Sequence, residues 1–91
     1  MDTLGQLRTS INNGLAKEEA INLLNEYIVL YPASDEAYTL RGLQYWSLGN
    51  RSAAINDYLK ALKLNPQSKA KEALRSANEI LNYYNKDLYN P

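Results

Sequence analysis

Two pairs of side chains in this chain have the type and spacing to do chemistry. Lys71 and Arg75 stand one helical turn apart, where two cations can hold a carboxylate between them, although a solvated helix face accounts for them equally well. Leu43 and Trp46, also one turn apart, have the make-up of an interface anchor, since Trp brings large area and an N–H donor. The catalytic repertoire beyond these is thin. The chain has no Cys, which removes thiolate nucleophiles, thiolate metal sites and disulfides, and no His, the commonest general base and metal ligand. No carboxylate pair, Ser–Lys constellation or Gly-rich phosphate loop stands at catalytic spacing, and turn chemistry accounts for Gly49-Asn50. The residues therefore point away from an enzyme, with no metal and no cofactor.

The elements that must carry these residues follow from periodicity. Tyr38, Gly42, Tyr45 and Trp46 recur at helical spacing before Leu48-Gly49-Asn50. Ala54, Ile55, Tyr58, Ala61, Leu62 and Leu64 recur after it and stop ahead of Pro66, whose ring disfavours helix in the residue before it. The spacing predicts five helices at roughly 2–13, 17–31, 35–48, 51–64 and 68–84. The first has mediocre propensity behind Asp2 as N-cap and ends at Asn12-Asn13-Gly14. Ala20, Ile21, Leu23, Leu24, Tyr27, Ile28 and Leu30 nearly encircle the second, which is expected to be central. Ser34 is expected to cap the third helix and Ser68 the fifth.

An offset of 34 residues aligns Ala20 with Ala54, Ile21 with Ile55, Asn22 with Asn56, Leu30 with Leu64, Pro32 with Pro66 and Ser34 with Ser68. Tyr38-x2-Arg41-Gly42-x2-Tyr45, then Ala54-x3-Tyr58-x2-Ala61 and Pro66, resembles the tetratricopeptide repeat. The resemblance implies an all-α protein, antiparallel helix pairs stacked as a short right-handed α-solenoid. It divides the chain into a first repeat (1–34), a second (35–68), a capping helix (69–84) and a tail (85–91). Arg8 falls where the second unit has Gly42, so it must either reach outward or push the first helix away. The fifth helix is not a third repeat in register. The 34-residue offset would bury Glu72, Arg75, Ser76 and Glu79, whereas its apolar stripe is Ala70, Ala73, Leu74, Ala77, Ile80, Leu81 and Tyr84.

The resemblance also implies the functional surface, a concave face lined by the first helix of each pair and suited to a peptide or partner protein. Offset matching places Glu36, Thr39, Leu43, Trp46 and Ser47 there from the second unit, and Asp2, Gly5, Thr9, Asn12 and Asn13 from the first. Asn12 and Asn13 would then offer hydrogen bonds to a peptide backbone. Trp46 remains open between an anchor and a second aromatic that fills the gap to the fifth helix. Some family members grip a peptide's terminal carboxylate with Lys, Arg and Asn; the matched positions here hold Gly5, Thr9, Leu40, Ala70 and Leu74, which disfavours that clamp. The expected role is a non-catalytic interaction module, an adaptor or assembly scaffold. An accessory subunit of an enzyme complex and a head-to-tail self-associating unit are the alternatives.

Ten Lys and Arg balance ten Asp and Glu, yet residues 1–36 carry six acids and two bases while residues 37–75 carry two acids and seven bases. That polarity suits an oriented partner or weak self-association, and exposed helix faces also need charge. No interleaved aromatics give the basic stretch from Lys60 to Arg75 stacking platforms for nucleic acid. No apolar run reaches the roughly 20 residues of a membrane span, and MDTLGQLRTS lacks the regions of a signal peptide, so a cytoplasmic chain, or a domain of a longer one, is expected.

Overall fold

The computed structural model describes residues 3–89, with side chains described as far as Ile80. Its elements are α1 (Leu4–Asn12), α2 (Lys17–Leu30), α3 (Asp35–Ser47), α4 (Arg51–Leu64) and α5 (Ala70–Tyr89), with no strand among the described residues. Local chemistry sets the ends. Thr3 caps α1 in a reciprocal capping box, its Oγ1 accepting from the Gln6 N–H while Gln6 Oε1 accepts from the Thr3 N–H. This replaces the expected cap at Asp2, which lies outside the described residues. Ser34 caps α3 through Ala37 N–H, and Asn50 caps α4 through Ala53 N–H.

α1 and α3 stop by the same device. Gly14 and Gly49 take φ of 99° and 86°, and the amides that follow reach back across the last turn: Leu15 N–H to Ser10 O at 3.0 Å, and Asn50 N–H to Tyr45 O at 2.9 Å. Each Gly therefore lets the chain reverse directly into the next helix, which fixes the two antiparallel pairs α1–α2 and α3–α4.

Packing makes α3, rather than α2, the central helix: it lies against α2, α4 and α5, while α1 rests on α2. One core gathers Leu7, Leu24, Ile28 and Ala37; the other gathers Ala54, Tyr58, Ala61, Ala70 and Ala77. Tyr38 packs against both and makes them continuous. The encircling apolar pattern of α2 is not all buried, because among the described residues no element covers its outer side: Val29 is 80% exposed and Leu30 52%. Gly42 is where α3 and α4 approach most closely. A Cβ there would sit 2.6 Å from Tyr58 Cε1 and 3.1 Å from Ala54 O, so only Gly fits.

α5 begins at Ala70 and runs through Tyr89, past the end expected at residue 84. Ala70 and Ala77 are buried, and Ala73 and Leu74 pack against the second core, as the stripe implied; Ile80 is exposed instead. Leu81 and Tyr84 fall outside the described side chains, and Asn90 and Pro91 outside the described residues. The whole is an all-α helical-repeat solenoid.

Candidate interaction groove

α1, α3 and the start of α5 enclose a groove of about 490 Å³. Arg8 forms one wall, and Asp35, Glu36, Thr39, Leu40 and Leu43 come from α3. Asn65, Gln67 and Ser68 arrive on the α4–α5 linker, and Lys69 and Ala73 close the other side. The lining mixes an apolar strip, Leu40, Leu43 and Ala73, with charge of both signs at the edges.

The floor is a chain of hydrogen bonds with a definite direction. Ala70 N–H donates to Ser68 Oγ at 3.2 Å, and Thr39 Oγ1 donates to Asp35 O at 2.9 Å. With the Thr39 proton committed, the 3.3 Å contact between the two hydroxyls must run from Ser68 to Thr39. Both residues are buried, so this joint ties the N-terminus of α5 to the N-terminus of α3 and sets the width of the groove. Asn65 Nδ2 donates to Asp35 Oδ2 at 3.5 Å beside it.

The opposite edge is electrostatic. Arg8 Nη2 donates to both carboxylate oxygens of Glu36, and both side chains are nearly half exposed. Arg8, occupying the slot that Gly42 fills in the second unit, has thus turned outward and found an acid on α3. Its type and the acid 28 residues on were visible in the sequence; their pairing was not, because it depends on how α1 leans over α3.

The structure brings Glu36, Thr39 and Leu43 together in the groove. Leu43 is 41% exposed. Trp46, the next-to-last residue of the same helix, is half-buried against the second core with Arg51 over its ring at 5.0 Å, outside the groove lining. Ser47 ends α3 at the surface. Thr9 donates to Gly5 O at 3.0 Å and lines a shallow depression with Thr3, Gly5, Gln6 and Ser10. Asn12 and Asn13 are exposed at the end of α1. The wall contributed by α1 is therefore Arg8. Lys69, Ala73, Asn65 and Gln67, absent from the expected site, enter because α5 starts beside the groove; the shifted apolar stripe of α5 was the signal for them.

Behind the groove, Arg41 lies between the units. Its Nε and Nη2 donate to Asp57 at 2.8 and 2.7 Å, and its Nη1 to Asn25 Oδ1 at 2.9 Å, with the Tyr38 and Tyr45 rings 5.4 and 5.9 Å away. The bonds to Asp57 hold the Arg41 proton more firmly than usual. Burial pushes the neighbouring Tyr58 hydroxyl up from its ordinary pKa. Among the described residues no three acidic side chains gather to hold a metal ion, and no helix is long and apolar enough to cross a membrane.

A solenoid of helix pairs with an open groove along the first helices defines the helical-repeat class of interaction proteins. Residues 35–68 match the family model described as tetratricopeptide repeat, which assigns the chain's α3–α4 unit to that family. The family mediates protein–protein contact and is generally non-catalytic. No curated protein and no solved structure matches the chain.

Proposed function

We propose that the groove between α1, α3 and α5 receives an extended segment of a partner protein, making the chain a non-catalytic adaptor or scaffold module. In this reading α1–α2 is a divergent first repeat, and the first part of α5 closes the array. The observation that carries it is the apolar strip of exposed Leu43 and half-buried Leu40 and Ala73 lying between opposed edges, Arg8–Glu36 on one side and Lys69 on the other. An apolar residue of the segment would sit on Leu43, and its backbone would pair with the polar rim at Asn65 and Gln67. Asn12, Asn13, Ser47 and Trp46 would touch only a longer segment that continues past the groove.

Panning a random displayed peptide library against the protein tests this. Peptides selected on the wild type should lose at least tenfold in affinity for Leu43→Asp and for Ala73→Arg, and should keep it for Asn22→Asp on α2. Peptides indifferent to both groove substitutions would overturn the reading.

A further inference from the structure

α1 and α3 stop at the same kind of turn, but the residue ahead of the glycine differs: Asn13 before Gly14, Leu48 before Gly49. Asn13-Gly14 is the only Asn-Gly step in the chain. Asn13 is exposed, and its carboxamide makes no hydrogen bond among the described residues. A Cβ built on Gly14 would meet no atom within 4 Å, so the peptide between the two residues is open to water. Every other Asn is followed either by a residue whose side chain crowds the next amide nitrogen or by Pro, which has no N–H.

We propose that Asn13 is the chain's site of spontaneous deamidation, and that its conversion unfastens the end of α1. The deprotonated Gly14 nitrogen attacks Cγ of Asn13. A new N–C bond closes a succinimide ring while the C–NH2 bond breaks, and the amine leaves as ammonia with a proton from water. Water then opens the ring at either carbonyl. Attack at Cγ gives aspartate; attack at the main-chain carbonyl gives isoaspartate, whose backbone runs through Cβ and Cγ. Both routes consume water and release ammonia, and neither needs an oxidant or a reductant.

The folded turn sets the pace. Ring closure needs the Gly14 nitrogen, whose N–H donates to Ile11 O at 3.1 Å, and a swing about the Asn13 Cα–C bond away from its ψ of 11°. The last turn of α1 must therefore open first. α1 is suited to opening: it has 9 residues, Leu7 is its one buried side chain, and it rests on α2. Both products make the opening permanent. A carboxylate at residue 13 sits at the negative end of the helix dipole, and α1 has no basic residue in its last turn to offset it. Isoaspartate also lengthens the main chain inside the turn, where Gly14 N–H to Ile11 O and Leu15 N–H to Ser10 O must both close. None of this chemistry depends on what the groove holds.

Incubating the whole chain for several days in mildly alkaline buffer, then mapping its fragments by mass and chromatographic retention, tests the proposal. Asn13 should convert first, roughly tenfold or more ahead of every other Asn, as aspartate and isoaspartate together. In the converted protein, amide hydrogen exchange across residues 9–15 should quicken by roughly tenfold or more while residues 54–61 keep their rate. Asn13→Ala, incubated alongside, should keep the exchange rate of fresh protein throughout. Another Asn converting first, a chain in which Asn13 outlasts the incubation, converted protein that exchanges like fresh protein, or an Asn13→Ala variant that loosens equally would each overturn the proposal.

Discussion

Arg41 and Asp57 meet in a two-pronged contact, at 2.8 and 2.7 Å, with the carboxylate only 7% exposed. The pair fastens α3 to α4, and the third arm of the guanidinium reaches α2 at Asn25, so one side chain holds three helices. Replacing Arg41 with Met would leave a buried carboxylate without its partner, which costs about 3 kcal/mol or more. We expect the melting temperature to fall by at least roughly 10 °C. Arg41→Lys should recover little, since an ammonium cannot present the planar fork. Asn25→Ala should cost less than about 1 kcal/mol.

The contact between α3 and α4 tolerates no added volume. Gly42→Ala places a methyl group 2.6 Å from the Tyr58 ring, and Ala54→Leu drives a branched chain into a fully buried site. Each should destabilise by roughly 1 to 3 kcal/mol despite a better helix propensity for Gly42→Ala. Urea denaturation with an unchanged midpoint would show that the two helices cross elsewhere.

Much of this core was legible in the sequence, because small residues at fixed spacing have one physical use, close approach of helices. Gly42, Ala54, Tyr58 and Ala61 could be placed by pattern, as could the stops at Gly14 and Gly49. The groove was only half legible. Glu36, Thr39 and Leu43 follow from the face of α3, but Arg8 and Lys69 enter through the lean of α1 and the start of α5, which helical periodicity does not encode. Trp46 illustrates the limit: its position one turn from Leu43 is the same whether the indole faces a partner or packs toward α5 and Arg51.

Stability should fall in alkali through Tyr58. Burial raises its pKa in the folded state above the ordinary value of 10.0, so the unfolded chain loses this proton first. Its contribution is complete below about pH 10 and is lost as pH rises through the raised folded value. Tyr58→Phe removes that part of the dependence. Urea midpoints compared between about pH 9 and pH 11 should fall less steeply for the variant than for the wild type. Parallel slopes would count against burial as the cause.

Trp46 and Leu43 should separate stability from binding. Trp46→Ala removes a ring packed on the second core and should cost about 2 to 4 kcal/mol. Leu43→Asp, at an exposed position, should cost less than about 1 kcal/mol yet remove binding. Thermal melts of the two variants beside affinities for a library-selected peptide would read both effects.

The groove itself is most directly tested by a two-dimensional amide NMR titration of the labelled chain with such a peptide. The account predicts shifts concentrated at Arg8, Glu36, Thr39, Leu43, Lys69 and Ala73, with Asn56, Leu59 and Lys63 unmoved at fixed protein concentration. Shifts centred on α2 and the outward side of α4, with the α3 groove silent, would contradict it.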